Sequence, residues 1–451
     1  KNPKYGYSSL DILHCVSAFV FDYRNPINPT IMSILFKSVK VIDSQSSFNN
    51  KVVDVLVKNG KIESIKSSIK AENGCKVVEG KNLHLSSGLF DMQVNFRDPG
   101  FDWKEDLNSG VKASSKGGFT AVLYMPSNLP STDTKVQVEY ILNNTKNALV
   151  DIVPAGNITK ENKGHELTEM FEMNQAGAKA FTDDRRSVQK TDIMKLALLY
   201  TKNFGGLVMN QPNDSTISAG GKMNEGVCST TLGLKGIPAL AEEVMLSRDI
   251  ELAEYTGGRL HANRISTAKS VEMVRAAKKR GVDISCDVAI HNLILKDDEC
   301  KTFDSNFKVF PPLRTGSDIK ALKKGLKDGT IDAICSDHCP EDVEHKVLTF
   351  DHANFGIIGT QTAFPLACEL EKELGLETII NAFSTNPRTL LGIENTTIEE
   401  GQKANLCCFS MGNEWVFDEN EVASKSKNSP FIGKRFTTKV LGTVNGKQSS
   451  F

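Results

Sequence analysis

The chain lacks a segment able to cross a bilayer. Its most apolar N-terminal run, Leu10 to Phe21, is short and is interrupted by Asp11 and His14. That run leaves a secretory signal open, without a convincing small-residue cleavage site. It has almost no net charge: 54 Lys+Arg against 55 Asp+Glu leave -1, so no global field favours nucleic acid or an anionic membrane. The 10 cysteines do not have the spacing of a small disulfide scaffold, and a chain of 451 residues needs no such staples. They read as reduced, mostly buried thiols, and the expected location is the cytoplasm. There is no low-complexity tail. What remains, 39% hydrophobic and 24% charged residues, is the composition of an ordinary globular protein with room for a large core and a smaller lobe.

Residues 1–31 carry no clear period and read as an N-terminal extension. From residue 32 to 86 come short β-branched runs broken by Asn59-Gly60 and Asn73-Gly74 turns, a β-rich pattern. Residues 87–394 then alternate strands with longer helical stretches, the signature of βα units around a parallel sheet. Strand candidates are 89–95, 120–125, 150–155, 178–182, 206–210, 259–262, 283–287 and 331–336. Eight such strands favour an α/β fold closed as a (β/α)8 barrel. Residues 395–451 return to short strands, so the small β domain is expected to draw on both chain ends. Helices are expected from Ile237 to Tyr255, with proline near the start, and after the Ser266-Thr267 capping residues.

In such a barrel the chemistry sits at the C-terminal ends of the strands. Those ends supply Gln93, Asn95 and Arg97; Ser127; Asp183-Asp184; Gln211; Arg264; His291; and Ser336-Asp337-His338. With strand alternation, Asp91, Gln93, Asn95 and Arg97 are expected on one face. The inventory is carboxylates, amides and guanidiniums, with little imidazole.

The motifs Asp91 to Gly100, Gly117-Gly118-Phe119-Thr120 with Met125-Pro126, and Ala178 to Asp184 resemble those of the dihydroorotases of the amidohydrolase superfamily. So do Pro311-Pro312-Leu313-Arg314, Ser336-Asp337-His338-Cys339-Pro340, Phe355 to Gly359, Asn386-Pro387 and Ser424 to Gly433. The resemblance runs from about residue 34 to 447. It implies reversible ring closure of carbamoyl aspartate to dihydroorotate in pyrimidine biosynthesis. It also implies zinc held by four histidines and two aspartates, the last-strand aspartate moving the proton.

Carried onto this chain, the four histidine positions are Gln93, Asn95, Gln211 and Arg264. The carboxylates persist as Asp337 and as Asp183 or its neighbour Asp184, which the sequence does not separate. Amides are poor zinc ligands and a guanidinium is a fixed cation, so no metal is expected. Arg264 is expected to reach Asp183 and Asp337 in the metal's place. Asp337 becomes a vestigial acid/base.

In the pocket, Ser127, Phe310 and Glu341 replace an asparagine, an asparagine and a histidine of the family pattern, whereas Arg97, His291 and His338 are kept. Arg97 divides between a ligand for a small carboxylate and a partner of Asp91 or Asp98. His291 and His338 divide between substrate contacts and hydrogen-bonded structural roles. His261 reads as a satisfied core histidine, and Cys335 with Cys339 as two buried thiols. Three functions follow: a noncatalytic homologue acting as a scaffold for aspartate carbamoyltransferase; an active cyclic amidohydrolase whose altered site still gathers zinc; or a metal-free binder of a small dicarboxylate. A homo-oligomer is compatible with each, and neither nucleic acid nor membrane is an expected partner.

Overall fold

A computed structural model describes residues 33–451. The expected extension at 1–31 lies outside the described residues. Eight parallel strands follow one another around a barrel: β1 (Leu89–Val94), β2 (Phe119–Tyr124), β3 (Asp151–Gly156), β4 (Ala180–Phe181), β5 (Leu207–Asn210), β6 (Arg259–Ala262), β7 (Ile284–Ala289) and β8 (Ala333–Cys335). Asn95 N donates to His338 O at 2.9 Å, and Val94 bridges to His338, so the first and last strands meet.

The strands are buried on both faces, as a parallel sheet requires. Phe90, Met92, Ala121, Leu123, Met125, Ala180, Met209 and Ala333 fill the barrel interior. Leu89, Phe119, Val122 and Val208 face outward to the helical layer. The helix Ala239–Thr256 starts from Pro238 and stops at Gly257 in the left-handed region. Thr267 caps Ala268–Lys279 by accepting from Ser270 N. Among the described residues no helix is long and apolar enough to cross a membrane, and the nine cysteines are free.

A mixed sheet is built from both chain ends. Its strand Leu83–Ser87 lies between Ser33–Ile42, which it pairs in parallel, and Asn405–Val416, which it pairs antiparallel. Asn59 and Gly60, both at positive φ, turn Val52–Lys58 into Lys61–Lys66 as the sequence pattern requires. Ile34, Phe36, Val55, Leu85, Leu406 and Val444 give this sheet its own core.

Gly88 joins the two structures, between Leu83–Ser87 and β1. A Cβ there would stand 2.2 Å from both Asn405 Oδ1 and Thr120 Oγ1. Gly88→Ala is therefore expected to cost about 2–3 kcal/mol through overpacking, read as a lowered urea midpoint with an unchanged slope.

Candidate functional site

Four residues at or just beyond strand ends, Arg97 (φ 63°), Asp184 (φ 51°), Arg264 (φ 50°) and Asp337 (φ 51°), lie in the left-handed region. None is glycine, so each conformation costs about 1 kcal/mol or more unless its surroundings hold it. The turns that follow β4, β6 and β8 thereby aim Asp184, Arg264 and Asp337 at one another.

Arg264 is fully buried and bridges three strands. Its Nη1 donates to Asp337 Oδ1 at 2.6 Å; its Nη2 donates to Gln211 Oε1 at 2.6 Å and to Asp184 Oδ1 at 3.2 Å. A second guanidinium, Arg185, donates to the same Asp337 oxygen at 2.6 Å and to Phe310 O at 2.9 Å. Burial works to raise the Asp337 carboxyl, but the two guanidiniums outweigh it and leave Asp337 below its ordinary value. For Arg264, burial opposes the charge, yet Asp337 and Asp184 hold it above the usual arginine value.

The amides extend the network, although Gln93 Oε1 and Asn95 Oδ1 have no hydrogen-bond partner among the described residues. Asn95 Nδ2 reaches Asp184 Oδ2 at 3.3 Å, and Ser127 Oγ donates to that oxygen at 2.9 Å. Gln93 Nε2 donates to Asp287 Oδ2 at 2.8 Å. Asp287 also accepts from the Arg264 backbone and sits 3.1 Å from His261 Nε2. Burial pushes Asp287 upward, but His261 foremost, with Gln93 and the Arg264 amide, brings it below the normal carboxylate value.

Several expectations need correction. Asp183 is not in the site: it accepts from the amides of Ile158 and Thr159 at 2.9 and 3.0 Å and from the Thr159 hydroxyl, so Asp184 is the carboxylate that meets Arg264. Asp91 does not share a face with Gln93 and Asn95. The pairing of β1 with β2 shifts register between Asp91 and Val94, which changes the strand's phase. Asp91 instead accepts from Ser336 N and Gln93 N, and burial raises its carboxyl to about 6.

Arg97 pairs with neither Asp91 nor Asp98. Its Nη2 stands 2.9 Å from both Glu341 Oε1 and Cys339 Sγ, and Lys104 Nζ lies 2.6 Å from Glu341 Oε2. Glu341, the replacement for a family histidine, is thus a charge-paired carboxylate bracing the strand ends. His338 leaves the pocket too: its Nδ1 accepts from Gly359 N at 3.1 Å and its Nε2 is 3.4 Å from Glu105. His261 is held by Ser285 and Asp287.

His291 faces the network with Nε2 4.0 Å from Asp337 Oδ2, and neither ring nitrogen has a hydrogen-bond partner among the described residues. Burial lowers it to about 4, the neighbouring guanidiniums adding to the effect and Asp337 opposing it. Sequence reasoning missed Arg185, Asp287 and Lys104. Arg185 directly follows the Asp183-Asp184 pair, and that adjacency was the available signal.

The residues present do not fit zinc. Of the four positions where the resemblance implies histidine, three present an amide and the fourth a guanidinium bonded to both Asp184 and Asp337. Among the described residues no three His, Cys, Asp or Glu side chains are grouped to hold a metal ion.

The barrel and its mixed sheet define an amidohydrolase-type protein. L-hydantoinase from Arthrobacter aurescens superimposes with a TM-score of 0.80 at 22% identity, covering 93% of this chain and 96% of that one. D-hydantoinase from Thermus sp. gives 0.74 at 19%, covering 92% and 95%. The Dihydro-orotase-like family model matches residues 83–270, and that of the Amidohydrolase family residues 220–446. A dihydroorotase of Geotalea daltonii is 40% identical over 92% of this chain and 99% of its own length. One from Acetivibrio thermocellus is 41% identical over 92% and 98%. The chain belongs to the dihydroorotase family.

Two outcomes test the electrostatics. Arg264→Met is expected to lower stability by about 3 kcal/mol at pH 7.5, because it strips a buried cation from two carboxylates. The depressed Asp337 contributes stability above its unfolded value, near 4, and loses it as pH falls through the folded value. The difference between wild type and Arg264→Met should therefore shrink in acid, as urea unfolding at pH 7.5 and below pH 4 would show. His291 is also depressed, so stability should fall as pH drops from about 6.5 to about 4, by up to about 3 kcal/mol. His291→Asn should flatten that part of the profile.

Proposed function

We propose that this dihydroorotase-family chain is noncatalytic in the family's zinc-dependent reaction, and that Arg264 supplies internally the positive charge its two carboxylates require. The observation that carries the reading is the Arg264 guanidinium, bonded at once to Asp184, Gln211 and Asp337. A carboxylate pulled below its normal value by two guanidiniums is also a poor proton acceptor at neutral pH, which weakens Asp337 as a general base.

A role in pyrimidine biosynthesis follows from the family. By resemblance to noncatalytic dihydroorotase homologues, the chain acts as a scaffold for aspartate carbamoyltransferase. The dicarboxylate-binding reading loses its anchor, since Arg97 is already paired with Glu341.

The identity of 40% to proteins named dihydroorotase favours a second reading, an active enzyme closing carbamoyl aspartate to dihydroorotate with an altered metal site. The two are separated by metal analysis of protein purified without chelator, combined with a dihydroorotate hydrolysis assay. Substoichiometric zinc and no turnover are expected; stoichiometric zinc with turnover establishes the second reading. Co-elution with the carbamoyltransferase is expected for the scaffold.

Restoring histidine at Gln93, Asn95, Gln211 and Arg264 is expected to recover zinc binding. If hydrolysis stays absent in that variant, Phe310 and Glu341 block it as well.

A further inference from the structure

At the opposite end of the barrel, where the strands begin, a pocket of about 210 Å³ opens between β1, β2 and β3 and the segment around Arg388. Phe90, Leu142, Ile152 and Ile393 line it with Arg388, while Lys179 and Asp151 stand on its exposed side.

Arg388 is 4% exposed, and the partners of its Nη2 are the neutral oxygens of Gly88, Thr120 and Asn405, at 3.2 to 3.4 Å. Its Nε is buried without a hydrogen-bond partner, and its guanidinium carbon lies 5.6 Å from the centre of the Phe90 ring. The difference from the other deeply buried arginines lies in the charge partner: Arg264, whose Nε is likewise unpartnered, and Arg314 have carboxylates within 4 Å.

A buried guanidinium whose direct partners are neutral dipoles is an incomplete arrangement, because the one opposite charge acting on it, Asp151 on the pocket's exposed side, makes no ion pair with it. Burial draws Arg388 down to about 10, with Asp151 opposing the shift. Three long bonds to the seam between barrel and mixed sheet explain why a donor is placed there. They do not explain a full cation with an unpartnered Nε on the wall of an apolar pocket.

We propose that this pocket is a binding site for a small organic carboxylate with an apolar body, its carboxylate paired with Arg388 and its body on Phe90, Leu142 and Ile393. A planar carboxylate matches the guanidinium fork. The apolar walls favour a hydrocarbon or aryl group over a fully hydrated inorganic anion. On the rim Asp151 repels a ligand's negative group and Lys179 attracts it, so the apolar walls rather than the rim charges set the preference for an apolar body.

The probe is para-fluorobenzoate, followed by fluorine NMR on the full chain. Wild type is expected to bind it, and Asp151→Asn to bind about 2–3-fold tighter through removal of the rim repulsion. Arg388→Met should weaken binding at least about tenfold. Because Arg388→Met also loses the seam bonds, Leu142→Trp, which fills the pocket and leaves the seam intact, provides the second arm and should abolish binding.

No binding by wild type overturns the proposal, as does undiminished binding by Leu142→Trp or by a folded Arg388→Met. Displacement of the probe by inorganic phosphate as effectively as by benzoate overturns the assignment to an apolar carboxylate. Substitutions at Gln93, Asn95, Gln211 or Arg264 should leave the result unchanged, which keeps this site distinct from the one at the other end of the barrel.

Discussion

Two carboxylates buried at the mouth of a barrel must have a positive charge between them, and the rest of this site is arranged to satisfy that requirement. Arg264 meets it from β6, with Arg185 contributing from the turn after β4. A guanidinium differs from a metal ion in the way it does so. It brings its own tether, cannot be exchanged, and spends its donors on fixed directions. Gln211 and Asn95 then act as hydrogen-bonding neighbours of the ion cluster, since an amide offers both an acceptor to Arg264 and a donor to Asp184.

The second layer has the same character. Arg97 and Lys104 together neutralise Glu341 and tie the end of β1 to the segment after β8. His338 Nε2 and Glu105 stand 3.4 Å apart behind the strands. Around His291 the balance is different: it is enclosed beside Asp337 without a hydrogen bond of its own, and burial keeps it neutral. The mouth of the barrel thus combines a charge-paired cluster, in which Asp337 Oδ2 and Arg264 Nε still have no hydrogen-bond partner among the described residues, with one imidazole whose charged form the fold resists.

The barrel was legible because its strands are apolar runs separated by helical periods, and all eight candidates overlap an observed strand. The chain-end sheet was legible from turn chemistry such as Asn59-Gly60. The Arg264 bridge could be anticipated because a cation replaced a ligand next to retained acids. Choosing between Asp183 and Asp184 required the backbone: the left-handed turn at Asp184 sends its side chain inward, while Asp183 caps the amides of Ile158 and Thr159. Alternation likewise failed at Asp91, because a register shift in the first strand cannot be read from residue type. The partners of Arg97 are more than two hundred residues away in sequence, and nothing local points to them.

The way the mixed sheet is assembled bears on how the chain is made. Leu83–Ser87 waits for Asn405–Val416, so its second edge stays open while the whole barrel emerges from the ribosome. Contacts of such long sequence separation form slowly, and an open strand edge is a place where nascent chains pair wrongly. The final strands therefore act as a completion signal: a chain that stops short of them leaves both an unpaired sheet edge and an uncovered apolar core around Leu85.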